Sequence, residues 1–458
     1  MTHDRRSFLR NAGLTTLAGV LGTGAASAAA EPLAAGAPLA PGVEPAGGKY
    51  DFDTLAPRGG FETTKWDEQN RRFGHVDVGM GIADMDFVTA PCITRALMDR
   101  IQRGDNWGYV TIPESHVQSI VGWNKRRYGL EIDPKTIVHS PAVHPAIIAT
   151  LRAFTPPGSR VIMPCPSYSG FYSDLRVVGV KPADVPLKLA KDGRYAMDLE
   201  GIERAIAHDT HALILCNPQN PTGNVWSKED LLALGEIALK HRVVVLSDEI
   251  HCDFVNAGSK YTPFASLPNE AVVRNSITFK SASKSFNLAG GKCAYFFSTN
   301  PEYLSRIKAW HREEISTFGM TAHRAAYTDG DAWLDQLKAY NDANLTFVAD
   351  YITKNIPLIK MVKPQGTYLG WVDVSAVVEK VGARDAAAKA NKDRDPSLTP
   401  ITPSHIMEKW FAEHAKVQLN PGGGFGTGGE ERMRMNCGTS RKMLTLALNN
   451  LETALKAV

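Results

Sequence analysis

The sequence is short of the signals that place a chain in several common classes. Its six cysteines, Cys92, Cys165, Cys216, Cys252, Cys293 and Cys437, are scattered and form no Cys-x-x-Cys pair. Their number alone requires no disulfide, and their places in or beside apolar strand-like runs read as buried free thiols. The formal charge is only +3, and no compact basic run interleaved with aromatics comes after the N-terminal segment, so nucleic acid is not an expected partner. The glycine-rich stretch Pro421 to Gly426 lacks the Gly-Lys-Ser/Thr ending of a nucleotide-binding loop and is expected to be a mobile loop. Asp84 and Asp86 have no histidine cluster near them in sequence, so no metal site is expected there and turn or capping roles are assigned. No internal repeat is visible.

The N-terminus is distinctive. Arg5-Arg6 is followed by Phe8 and Leu9, then by a run from Asn11 to Ala30 without a charged residue. That run is rich in Gly, Ala and Thr, so it falls short of the about 20 strongly apolar residues of a spanning helix. With Ala26-Ser27-Ala28 as a small-residue cleavage site, residues 1–30 read as a twin-arginine export signal. The route carries folded proteins, which suits an enzyme that acquires a cofactor before export, and implies a periplasmic or secreted product with no stable membrane association. Residues 31–48, rich in Ala, Pro and Gly, read as a linker.

From about residue 158, short β-branched runs alternate with helical stretches. Strands are expected at Arg160–Met163, Ala212–Leu215, Val243–Leu246 and Ile277–Phe279, their continuous apolar character suiting a parallel sheet buried on both faces. Between two of them, Ser227 followed by Asp230 opens a helix with Leu231, Leu234 and Ala238 on one face. Repeated strand–helix–strand units imply a doubly wound α/β domain whose ligand lies beyond the carboxyl ends of the strands. The expected organisation is a segment at 49–90 packing with a small domain, a large domain at 91–335, and a small C-terminal domain at 336–458 with a solvated insertion at about 382–400.

Three strand ends deliver an amide (Asn217 to Asn220), a carboxylate (Asp248) and an amine (Lys284) towards one edge. That set suits a pyridine aldehyde cofactor. A lysine amine condenses with an aldehyde, a carboxylate keeps a ring nitrogen protonated so that the ring withdraws electrons, and an amide donates to a ring oxygen. Desolvation and nearby positive charge would favour the neutral, reactive amine.

Tyr50–Thr54 (YDFDT), Lys65–Asp67 (KWD), Ala83–Phe87 (ADMDF), Cys216–Gly223 (CNPQNPTG), Ser247–His251 (SDEIH), Ser283–Gly290 (SKSFNLAG), Gly366–Trp371 (GTYLGW) and Arg434–Arg441 (RMNCGTSR) stand in an order that resembles the aminotransferase class I/II superfamily of fold-type-I, pyridoxal-phosphate-dependent enzymes. The resemblance is closest to its cystathionine β-lyase-like C–S lyase branch. It implies Lys284 as the Schiff-base lysine and proton-transfer base, Asp248 on the pyridinium nitrogen, Asn220 on the ring oxygen with His251 nearby, and Tyr168 stacked on the ring. The phosphate would lie against Ala142, Val143 and His144 with Ser281 and Ser283, and Tyr109 would reach the phosphate of a neighbouring subunit, implying a homodimer. Arg434 would clamp the carboxylate of an amino-acid substrate, with Asp84 also on the substrate side. Two departures stand out. Gly81 replaces a tryptophan usual before ADMDF, which would enlarge or reshape the pocket, and Ala142 and His144 replace the usual glycine and valine. The resemblance favours a C–S β-lyase acting on cystathionine or another cysteine conjugate. An aminotransferase or other amino-acid-modifying enzyme shares the same lysine chemistry, and a cofactor-bound sensor without turnover is the third reading.

Overall fold

Each expected apolar run is built into a sheet because only pairing on both sides satisfies the backbone of a strand that is hydrophobic on both faces. The computed structural model describes residues 42–104, 108–395 and 398–458. The export-signal segment and most of the linker lie outside them. Seven strands, β1 Ile137–Ser140, β2 Arg160–Cys165, β3 Lys181–Pro186, β4 Thr210–Cys216, β5 Val244–Asp248, β6 Ser276–Lys280 and β7 Ala294–Phe297, form one sheet in the order β1-β7-β6-β5-β4-β2-β3. Only β7 runs against its neighbours. The four strands expected from sequence are β2, β4, β5 and β6, with ends that differ by one or two residues. The register sets Cys216 beside Asp248 and Asp248 beside Phe279, so three strands stop level with one another at the carboxyl edge.

Helices α1 Glu114–Tyr128, α2 Val143–Phe154, α3 Ser169–Val178, α4 Lys228–Lys240 and α5 Thr317–Asp329 pack around this sheet. In α4 the Ser227 hydroxyl accepts the Asp230 amide at 3.0 Å, a cap worth about 1 kcal/mol. Leu231, Leu234 and Ala238 are buried, as their spacing requires.

The long helix α6 Asp331–Asn355 serves two cores. Trp333, Leu334 and Leu337 pack in the core that holds Trp123 and Phe286. Further on, Leu345, Val348 and Ile352 join the core of a smaller sheet. That sheet, β8 Lys360–Met361, β9 Leu369–Asp373, β10 Asn420–Pro421 and β11 Arg432–Asn436, is antiparallel in the order β8-β9-β11-β10. Val78 and Met80 enter the same core, and Val78–Gly79 pairs in parallel with Val417–Gln418.

Three expectations need correction. The stretch at 382–400 is not simply a solvated insertion: it contains α7 Ala383–Asn391, which buries Ala383 and Ala387. The glycine-rich loop is packed, with Phe425 wholly buried against Trp371. Its glycines allow close approach, since a Cβ on Gly422 would fall 2.3 Å from the Gly429 carbonyl oxygen. Asp86 does not cap a turn; its carboxylate receives 2.8 Å and 3.0 Å bonds from the buried Lys65 Nζ and from Trp66 Nε1. All six cysteines are free and buried. Among the described residues no helix is long and apolar enough to cross a membrane.

Candidate active site

The carboxyl edge of the large sheet opens on a cavity of about 180 Å³. The turn after β1 brings Ala142, Val143 and His144 to it, and the turn after β2 brings Tyr168. The turns after β4 and β5 bring Asn220 and Asp248 with His251, and the turn after β6 brings Ser283 and Lys284; all of these residues line it. The five strand ends meet there because the strands that carry them run in the same direction.

Lys284 Nζ makes no hydrogen bond or ion pair with any described residue, and burial, aided by the nearby Arg434, holds its pKa below the ordinary lysine value. Asp248 is buried, and desolvation pushes its carboxyl up to about 7, although the Ile250 amide donates to Oδ1 at 3.1 Å. A carboxylate so placed gains from any cation set against it. His251 Nδ1 is buried with no partner, and burial keeps this imidazole neutral, well below its ordinary pKa.

Helix α2 begins at the cavity. Its N-cap, Ala142, offers no side-chain hydrogen bond, so the first backbone amides of the helix are left for a ligand, and the helix dipole favours an anion there. His144 donates from Nδ1 to Asp174 Oδ2 at 2.7 Å. That bond raises its pKa above the ordinary histidine value and adds positive character beside the helix start. Its ring lies 5.5 Å from that of Tyr168. Lys292 also lines the cavity. An orphaned amine, a buried carboxylate, uncapped helix amides and a tyrosine face together fit pyridoxal phosphate.

Arg434 reaches the site from β11 of the smaller sheet. It is 3% exposed, and its two terminal nitrogens donate to Asn220 Oδ1 at 3.1 Å and to the Gly81 carbonyl at 2.9 Å. Its Nε is buried without a partner. Burial pulls its pKa down to about 10, and its guanidinium carbon lies 5.1 Å from the Phe425 ring centre.

Four expected residues are placed differently from the rest. Ser281 lies behind the cavity wall. Its hydroxyl donates to the Cys293 carbonyl at 2.8 Å and shares a 2.6 Å bond with Ser283, so it braces Ser283. Asp84 pairs with Arg58 at 3.3 Å and does not line the cavity, although its charge acts on Lys284. Tyr109 is fully exposed and does not line the cavity of its own chain. Gly81 does not enlarge the pocket: a Cβ there would fall 2.3 Å from Gln418 Oε1, which accepts the Gly81 amide at 3.0 Å. The Gln418 amide group takes the space.

Sequence reasoning missed Asp174, Gln418, Phe425 and Tyr368, whose hydroxyl donates to the Ala83 carbonyl at 2.6 Å. Asp174 lies 30 residues from its partner His144, beyond any local pattern. Tyr368 stood inside the GTYLGW motif, and that was a usable signal.

Residues 76–451 match the family model for aminotransferase class I and II. The cystathionine beta-lyase PatB of Bacillus subtilis is 37% identical, over 88% of this chain and all of its own length. Among solved structures, cystalysin from Treponema denticola, which contains a pyridoxal 5'-phosphate cofactor, superposes with a TM-score of 0.80 at 29% identity, covering 89% of this chain and 99% of its own. The PLP-bound C-S lyase from Staphylococcus hominis superposes with a TM-score of 0.77 at 28% identity, over 89% of this chain and 98% of that one.

Proposed function

The chain belongs to the aminotransferase class I and II family, and on that premise we propose that it is a pyridoxal-phosphate-dependent carbon–sulfur β-lyase, cleaving cystathionine or a related S-substituted cysteine to a thiol, pyruvate and ammonia. The observation that carries the proposal is the convergence of Lys284 and Asp248 on one cavity, with Arg434 close enough to act on Lys284, in a chain that spans the whole length of a cystathionine β-lyase relative.

When bound, the cofactor supplies an electron-poor ring that stabilises negative charge at the substrate α-carbon. Lys284 would hold the cofactor and, when free of it, would take the substrate's α-proton. Burial and the nearby Arg434 lower its pKa, which favours the neutral form that task needs. Asp248 would hold the cofactor's protonated ring nitrogen, a cation that would offset the desolvation raising the free carboxyl. The amides of Val143 and His144, with Ser283, would hold the phosphate, and Tyr168 and Asn220 would hold the ring. Arg434 turns its fork to the substrate carboxylate. Loss of the α-proton to Lys284 leaves an electron pair that forms the α,β double bond as the C–S bond breaks, with its electrons leaving on sulfur. The thiolate then takes up a proton, and the three-carbon fragment hydrolyses to pyruvate and ammonia.

Full exposure of Tyr109 supports a homodimer in which this side chain completes the neighbouring phosphate site. The arginine pair and the uncharged run after it support export through the twin-arginine route.

The test offers the purified protein cystathionine and S-alkyl cysteines, following thiol and pyruvate release, and in parallel amino acids with a 2-oxo acid. Matched thiol and pyruvate release is expected. Amino-group transfer without thiol release would overturn the lyase reading in favour of an aminotransferase.

A further inference from the structure

A second group of buried ligand atoms lies outside the lining of the active cavity, around the start of β7, which neighbours the end of β6. His116 stands in the first turn of α1 and His323 midway along α5, two helices that pack on each other. Cys293 precedes β7. One ring nitrogen from each histidine and the Cys293 sulfur all fall within 4.8 Å of one another, and Sγ is 3.8 Å from His116 Nε2. His116 is 0% exposed, His323 1% and Cys293 5%.

His323 has no hydrogen-bond partner among the described residues, and His116 has one only at Nε2, which faces the Cys293 sulfur. Both nitrogens of His323 and Nδ1 of His116 are buried without a hydrogen-bond partner. A buried imidazole nitrogen without a partner is destabilising, and a metal ion would occupy one of the two free nitrogens of His323.

We propose that His116, Cys293 and His323 bind one zinc ion. Two imidazoles and a thiol, with no carboxylate in the set, suit this borderline-soft divalent ion and not magnesium or calcium. In a tetrahedral zinc site, nitrogen and sulfur ligands sit roughly 3.6 Å apart, and the separation here is 3.8 Å. The Cys293 thiol gives its proton to solvent as the zinc–sulfur bond forms. His139, whose ring lies 5.2 Å from that of His116 and whose Nε2 is also unpartnered, flanks the set.

The position gives the site a structural purpose. The Cys293 carbonyl accepts the Ser281 hydroxyl, and Ser281 braces Ser283 on the cavity wall. A metal at Cys293 would fix this segment to α1 and α5. The proposal stands independently of the lyase reading.

The full-length, pyridoxal-phosphate-loaded protein is dialysed against zinc and then against zinc-free buffer, and its metal content and zinc-edge X-ray absorption are measured. One zinc per chain with one sulfur scatterer is expected. Affinity should fall by about tenfold or more in Cys293→Ser and in His323→Gln, and zinc should raise the Tm of the unaltered protein but not of either variant. The second variant serves if the first does not fold. Failure to retain zinc, a zinc shell without sulfur, or undiminished binding in His323→Gln would overturn the proposal.

Discussion

Lys280 and Lys284 lie four residues apart, at the end of one strand and in the turn after it, and their amines meet opposite surroundings. Lys280 is 1% exposed. It donates to Asn124 Oδ1 at 2.7 Å and sits 4.2 Å from the centre of the Tyr128 ring. Burial opposes its charge, but the acidic groups around it, Cys252, Tyr295, Glu249 and Asp253, outweigh burial and raise its pKa above the ordinary value. Lys284 has no such partner, faces a cavity and has Arg434 nearby, and its pKa is lowered. One lysine is a permanent cation in the core, and the other is an amine available for chemistry. Burial by itself does not make a lysine reactive; the neighbours decide.

The sharpest way to break this comparison is to remove each amine in turn. Lys284→Ala is expected to lose activity by about 10²–10⁴-fold and to lose the visible absorption of the covalently held cofactor, with little change in stability. Lys280→Met is expected to do the reverse. Urea titration should show a loss of about 3 kcal/mol or more, since breaking a buried charge network leaves Glu249 without its cation, while the folded fraction keeps its activity. A smaller effect is expected from Arg434→Lys, which loses the planar fork. KM for the amino-acid substrate should rise about tenfold to a hundredfold, with a smaller change in kcat. An equal fall in kcat at unchanged KM would deny Arg434 the carboxylate.

The subtlest test concerns Asp248. Its folded pKa of about 7 lies above that of an unfolded aspartate, so the folded, cofactor-free chain binds a proton that the unfolded chain has released. The stability of cofactor-free protein should therefore fall as pH rises through the window from about 4 to 7. Asp248→Asn should flatten that part of the profile, as read by Tm against pH.

Much of the site was legible because the chemistry sits at strand ends, where local sequence marks both the strand and the turn next to it. Asn220, Asp248 and Lys284 each end a β-branched run or come just after one, and the Ser227 cap was visible three residues from its partner. The rest depends on partners distant in sequence, which no local pattern reveals. Lys280 gives its hydrogen bond to Asn124, 156 residues away. Gln418 fills the space at Gly81 from 337 residues away. The buried Lys65–Asp86 pair bridges two motifs whose separate sequences say nothing about contact. His116, Cys293 and His323 come together only when α1 and α5 pack on each other. Glycine counts suggested mobility at 421–426, whereas these glycines permit close packing around Phe425.

The most direct measurement is to trap the cofactor on the resting holoenzyme with borohydride, digest the protein and locate the pyridoxyl group by mass spectrometry. The expected result is a single modified residue, Lys284, with Lys280 and Lys292 unmodified. A pyridoxyl group on either of those lysines, or on none of the three, would contradict the assignment on which the proposed chemistry rests.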